Sequence, residues 1–133
     1  AISGILYGVD TRATKEIDRL NGLIGPETVL ARCRNALTTQ AGGPKILWIE
    51  ANRPEVFART HKILNSTSFV VHRLTGEWCT ATACADPLGL VNLATGDYDD
   101  DLLAALPKTA VVPVGQVLIQ AIMLITSVCI HLI

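Results

Sequence analysis

Several features that mark binding domains are scarce in this sequence of 133 residues, and each absence removes a class of function. Aromatic residues make up only 5% of the chain, so a platform on which nucleic-acid bases could stack is not expected. Eleven basic residues stand against twelve acidic ones, whereas a dedicated nucleic-acid binder needs clustered positive charge. Nucleic acid is therefore not expected as a partner.

The four cysteines indicate neither a zinc site nor a disulfide framework. No two of them form a C-x-x-C pair, and no histidine lies at zinc-finger spacing. We interpret them as reduced and mostly buried thiols. No basic segment followed by an apolar run resembles a signal peptide, so we expect a cytoplasmic protein.

The motifs that identify many nucleotide-binding and hydrolytic sites are missing as well. The sequence contains no GxxxxGK[ST] phosphate loop and no GxGxxG, GxSxG or HExxH segment. We therefore assign no catalytic residue and no metal ligand.

Helical periodicity is what the sequence does have. Asp10 or Thr11 offers the N-cap oxygen of a first helix, after a short strand predicted over residues 2–9. Gly25 should end this helix and Pro26 should begin the next, since proline suits a first helical turn. The apolar faces predicted for these two helices are Ala13, Ile17, Leu20 and Ile24, then Val29, Leu30, Cys33 and Leu37.

Further helices are predicted downstream. One should begin near Pro44, after a Gly-Gly loop, and a longer one should follow Asn52 as its N-cap and continue over residues 53–65. A short helix capped by Ser66 or Thr67 should close at Gly76, and residues 99–101 should form the acidic first turn of another. These patterns predict a helix-rich α/β body with one or two short strands.

Asp10 and Arg12 have two interpretations from pattern alone. They can form a local ion pair beside a helix start, worth about 0–1 kcal/mol when exposed. A carboxylate and a guanidinium at the end of a strand can also orient sugar hydroxyls, because they accept and donate in fixed geometry. Both interpretations remain open at this point.

The order of several short motifs resembles the N-terminal domain of the FGGY carbohydrate kinases, on the xylulokinase-like side. The resemblance covers residues 2–107. Its residues are a W-x-D-x-R-like corner (Tyr7, Asp10, Arg12), P-K-x-x-W (Pro44, Lys45, Trp48), N-x-P-E (Asn52, Pro54, Glu55) and L-T-G (Leu74, Thr75, Gly76).

The resemblance implies a helix-rich fragment of a ribonuclease-H-like (actin-like ATPase) domain. It also implies transfer of phosphate from ATP, with Mg, to a hydroxyl of a sugar or polyol. In relatives the loop before P-K-x-x-W faces the sugar, which implies substrate-binding roles for Thr39 and Gln40, with Asp10 and Arg12 flanking the same cleft.

Departures from the family pattern limit what the chain is expected to do alone. The Gly-rich phosphate strand, the G-x-x-D stretch with the catalytic base and the ATP-binding domain have no counterpart in this sequence, in which no Asp follows Asp101. We therefore expect the chain to be inactive by itself and to bind neither ATP nor Mg tightly. The alternative is a non-catalytic remnant that binds sugar or docks on a kinase.

Residues 108–133 form a second segment, which is apolar and has no charged residue from position 109 onward. A small tail-anchored membrane protein is a further alternative, although residues 117–133 reach only the lower limit of a spanning helix, about 17–25 residues. Without the strands of a full domain, faces carrying Ile46, Trp48 and Val70 are expected to be exposed and to promote self-association.

Overall fold

A computed structural model describes residues 10–81 and 89–107. In chain order its elements are α1 (Thr14–Ile24), α2 (Pro26–Cys33), α3 (Gly42–Asn52), α4 (Pro54–Ala58), α5 (Ser66–Thr75), β1 (Val91–Asn92), β2 (Asp97–Tyr98) and α6 (Asp100–Ala104). The two strands pair antiparallel, with Val91 opposite Tyr98. The described part is therefore helix-rich with one small sheet. The strand predicted over residues 2–9 and the segment 108–133 lie outside the described residues.

Helix α1 begins later than the sequence predicts. Its N-cap is Ala13 and makes no side-chain cap bond, so the predicted cap at Asp10 or Thr11 is wrong. The carboxylate of Asp10 accepts hydrogen bonds from Arg12 instead and is not available to the helix. The predicted apolar face is confirmed, because Ala13 and Leu20 are buried.

The corner between α1 and α2 is as predicted. Gly25 ends α1 with φ of 90°, a value that favours glycine, and Pro26 opens α2. Val29 and Cys33, one helical turn apart, are buried, but Leu30 is 50% exposed. The prediction that Leu30 lies on the buried face is wrong, because this residue lies about 100° around the helix from Val29.

Helices α3 and α4 meet near Asn52. Helix α3 begins at Gly42, close to the predicted start, but Asn52 is its last residue and donates to the carbonyl oxygen of Trp48 at 3.0 Å. The long helix predicted to follow is wrong, since α4 ends at Ala58. There the side chain of Thr60 donates to the carbonyl oxygen of Val56 at 2.9 Å, and this local bond accompanies the end of the helix.

The later helix ends follow ordinary capping chemistry. The N-cap of α5 is Asn65, one residue before the predicted Ser66, and its Oδ1 accepts from the backbone N–H of Ser68 at 2.8 Å. Gly76 ends α5 with φ of 79°, as predicted. Asp99 is the N-cap of α6 and accepts from the backbone N–H of Leu102, which confirms the acidic helix start.

The hydrophobic core lies between the first three helices, the β1 end of the hairpin and α6. Its buried members are Leu20, Val29, Cys33, Leu37, Ala41, Ile46, Leu47, Leu90, Leu102 and Leu106. Ile46 is only 3% exposed, so the expectation that it is exposed is wrong. Val70 is exposed as expected, and Trp48 is half-buried. Cys33 and Cys79 are buried reduced thiols, and the other two cysteines lie outside the described residues.

Candidate functional site

Asp10 and Arg12 form a two-pronged ion pair just before α1. The Nε of Arg12 donates to both carboxylate oxygens of Asp10, at 2.9 Å and 3.0 Å, and its Nη2 donates to Oδ2. The backbone N–H of Arg12 also donates to Oδ1, at 3.1 Å. The carboxylate is therefore bonded to Arg12 through side chain and backbone together.

These bonds change the acidity of Asp10. Hydrogen bonds from the side chain and the backbone of Arg12 lower the pKa of Asp10 from 3.8 to about 2, against a smaller opposing effect of desolvation. The positive charges of Arg12 and Lys45 act in the same direction. Asp10 is therefore ionised at neutral pH.

The guanidinium of Arg12 also lies on an aromatic ring. Its central carbon is 4.3 Å from the ring centroid of Trp48, which is a favourable cation–π distance. Trp48 belongs to α3 and is half-buried, whereas the side chain of Arg12 is 50% exposed. The first two turns of α3 thus support a charged group that still faces solvent.

Lys45 lies on the same helix face as Trp48, three residues earlier. It is only 7% exposed, which is unusual for a lysine, and its positive charge helps to lower the pKa of Asp10. Two cations and one anion therefore meet where the start of α1 approaches α3.

The loop of residues 38–41 precedes α3. The hydroxyl of Thr38 accepts from the backbone N–H of Gln40 at 3.2 Å, and its carbonyl oxygen accepts from Ala41 at 2.9 Å. The side chain of Gln40 is exposed, and Thr39 is half-buried. Neither side chain makes a hydrogen bond within the described residues.

Gly89 supports this loop from the other side. A Cβ at Gly89 would lie 3.0 Å from the side chain of Leu37 and 3.2 Å from that of Ala41, and its φ is 68°. A side chain at this position would strain the backbone and would require these two side chains to move by a few tenths of an ångström. The loop is therefore flanked closely by a residue about fifty positions further along the sequence.

The four predicted substrate residues are brought together in part. Asp10 and Arg12 contact each other, but in the described residues no hydrogen bond or ion pair joins them to Thr39 or Gln40. Helix α3 connects the two groups, since Ala41 and Trp48 are seven residues apart, or about 10 Å along the axis.

Two further clusters were not predicted from the sequence. Arg32 of α2 bonds to the carboxylates of Asp99 and Asp101, and it joins α2 to the start of α6.

The ring of His72 stacks on that of Trp78 with centroids 3.6 Å apart, and His61 meets the same indole edge-on at 5.5 Å. No sequence motif marks either cluster, because their members are distant in sequence or lie on loops.

The described residues do not fit a metal ion. Across residues 10–81 and 89–107, no group of three or more His, Cys, Asp or Glu side chains could hold one. The carboxylates of Asp99 and Asp101 both bind Arg32. In the same ranges no helix is both long and apolar enough to span a bilayer.

The chain is similar to known proteins over most of its length. Residues 2–113 match the FGGY family of carbohydrate kinases, N-terminal domain. The autoinducer-2 kinase of Photorhabdus laumondii is 26% identical over 97 residues, which are 71% of this chain and 18% of that protein. The L-fuculokinase of Haemophilus influenzae is 32% identical over 62 residues, 47% of this chain and 13% of that protein.

A solved structure shows a similar arrangement of elements. The xylulose kinase from Rhodospirillum rubrum superposes with a TM-score of 0.72 at 32% identity, over 80% of this chain and 22% of that one. The chain therefore spans about a fifth of the length of the relatives that it matches.

Proposed function

The chain belongs to the FGGY family of carbohydrate kinases, and we propose that it contributes the sugar-binding side of a kinase that phosphorylates a hydroxyl of a sugar or polyol. We also propose that its helices are part of a ribonuclease-H-like domain. The similarity to the Rhodospirillum rubrum xylulose kinase, with a TM-score of 0.72, supports this assignment.

One observation carries the proposed sugar site. Arg12 is half exposed and yet fixed, because Asp10 holds its donors and Trp48 lies under its plane. A fixed charged donor binds hydroxyl oxygens without first losing side-chain freedom, which favours weak polar ligands such as sugars. Gln40 adds an exposed amide, which can both donate to and accept from hydroxyls, and Thr39 adds a hydroxyl.

We propose that the 133 residues by themselves bind a sugar without phosphorylating it. A general base must accept a proton from the sugar hydroxyl, but both oxygens of Asp10 are bonded to Arg12. ATP and Mg are the family's cosubstrate and metal, and the described residues do not fit a metal site.

The test has two measurements on the purified chain. Saturation-transfer NMR against pentuloses and polyols should detect binding, and a coupled assay with ATP and Mg should detect no turnover. Gln40→Ala should weaken the NMR signal, while Glu27→Gln, an exposed change on α2, should leave it unchanged. Absence of binding to every sugar would overturn the proposed site, and turnover by the pure chain would overturn the proposed inactivity.

A further inference from the structure

The Arg12 guanidinium is held on one edge and one face, and no residue of the described ranges bonds to its remaining edge. Its Nε and Nη2 donate to Asp10, and Trp48 covers one face of the plane. Within the described part of the chain, no residue accepts a hydrogen bond from Nη1. A guanidinium has five N–H donors in a rigid fork, so the Nη1–Nη2 edge retains donors that point away from Asp10.

Asp10 has little capacity left for a ligand of its own. Oδ1 accepts from the backbone N–H and the Nε of Arg12, and Oδ2 accepts from Nε and Nη2. A carboxylate offers about four acceptor positions, and Arg12 engages both oxygens twice. The two residues, which the sequence treats as equal candidates, therefore have different roles.

Resting on the proposed function, we infer that Arg12 contacts the sugar through its Nη1–Nη2 edge, while Asp10 and Trp48 are positioning residues that fix this edge. A planar pair of donors matches two adjacent oxygen atoms on one ligand. The ligand chemistry is thus a vicinal pair of hydroxyls or a carboxylate of a sugar acid. Xylitol carries only hydroxyls, whereas xylonate of the same carbon number also carries a carboxylate. Comparing their affinities therefore distinguishes the two kinds of ligand.

The position of Trp48 makes the inference specific. It lies on α3, whose first turn follows the loop with Gln40, so the ring sets Arg12 in a fixed relation to that loop. An aliphatic side chain would fill similar space but would not attract the cation, whereas phenylalanine would preserve an aromatic face. Trp48→Leu and Trp48→Phe therefore separate positioning from simple packing.

The first measurement follows the Asp10 carboxyl by carbon-detected NMR as the pH is lowered. Among the described residues, Arg12 and Lys45 are the charged groups that act on this carboxyl. The pKa of Asp10 should remain near 2 in the wild type and in Trp48→Phe, and it should rise part of the way toward 3.8 in Trp48→Leu, where the guanidinium of Arg12 loses its aromatic support. Trp78→Leu is the matched control, because Trp78 contacts His61 and His72 instead, and it should not change the titration.

The second measurement is the affinity for xylitol and for xylonate. Trp48→Leu should weaken binding of the better probe by about two- to fivefold, and Trp48→Phe should restore it. Arg12→Lys keeps the charge but not the fork, and it changes a half-exposed side chain that the fold tolerates. It should weaken binding and raise the pKa of Asp10 even if Trp48→Leu does not fold.

The outcomes separate this inference from the proposed function. If the wild type binds a probe and Trp48→Leu and Arg12→Lys bind it equally well, the inference is overturned and the sugar site stands. If the wild type binds no probe, the sugar site and the ligand contact of Arg12 both fail, whatever the titration shows. Loss of binding in Trp48→Leu, its rescue in Trp48→Phe and the shifted Asp10 titration together support the inference.

Discussion

Arg32 and Asp99 are 67 residues apart in sequence, and the Nη1 of Arg32 lies 3.2 Å from the Oδ1 of Asp99. The carboxylate is 3% exposed and also accepts from the side-chain amide of Asn92 at 3.2 Å and from the backbone N–H of Leu102. One buried side chain therefore ties α2, the hairpin and the first turn of α6 together.

Replacing Asp99 should destabilise the fold more than replacing its neighbour. Asp99→Ala removes a helix cap and leaves Arg32 without its buried partner, so we expect a loss of about 1–3 kcal/mol in the free energy of unfolding. Asp101→Asn is the matched control, because Asp101 binds the same arginine but is 65% exposed, and it should cost less than about 1 kcal/mol. Urea unfolding measures both, and equal losses would contradict the account.

Gly89 should tolerate a methyl group less well than Gly96. Both have positive φ, 68° and 74°, but a Cβ at Gly89 would meet Leu37 and Ala41, while one at Gly96 would meet nothing within 4 Å. Gly96→Ala carries backbone strain alone, about 1 kcal/mol, and Gly89→Ala should cost about 1–3 kcal/mol more. Thermal unfolding measures the difference. Indistinguishable melting temperatures of the two variants would contradict the prediction and would show that Leu37 and Ala41 move aside at little cost.

The sequence correctly predicted the helix ends at which glycine or proline determines the backbone conformation. Gly25, Pro26 and Gly76 act as predicted, since their conformational preferences need no tertiary partner. The cap assigned to Asp10 is wrong for the opposite reason. Its carboxylate accepts from both the side chain and the backbone N–H of Arg12, and α1 begins only at Thr14.

In the candidate site, too, the local contact was predicted from the sequence and the tertiary contacts were not. The resemblance to a kinase family selected Asp10 and Arg12, and they do contact each other. The cation–π contact with Trp48 required knowing how α1 crosses α3, which is a matter of packing and not of spacing. The packing of Gly89 against the loop that contains Gln40 could not be predicted either, because no periodic pattern in the sequence relates these residues.

Acid should weaken the fold through Asp10. A carboxyl whose pKa is lowered on folding stabilises the folded state above its unfolded pKa, and this contribution is lost as the pH falls through the folded value. The loss should therefore occur between about pH 4 and pH 2, the range between the ordinary value of 3.8 and the lowered one. Arg12→Gln should reduce this part of the pH dependence.

Unfolding by urea at pH 5 and at pH 2.5 tests this expectation. Arg19→Gln is the control, because Arg19 is an exposed arginine of α1 that forms none of the ion pairs seen in the described residues. An identical acid sensitivity in wild type and Arg12→Gln would rule out a stabilising role for the pair.

The exposed face of α5 should promote self-association. Phe69, Val70 and Leu74 are each more than half exposed, and they are neighbours on one helix. Light scattering should show particles larger than a monomer as the concentration rises, and Val70→Lys should shift this to higher concentration. Leu23→Lys changes an equally exposed leucine on α1 and should have a smaller effect. A monomer at all concentrations would count against the prediction.

Titration of the chain with the sugar or polyol that it binds best, before and after Arg12→Ala, tests the proposed contact between Arg12 and the sugar. Loss of the charged donor should weaken binding by about tenfold or more, while Arg19→Ala should leave it unchanged. Equal affinity in wild type and Arg12→Ala would contradict the claim that the Asp10–Arg12 corner faces the sugar.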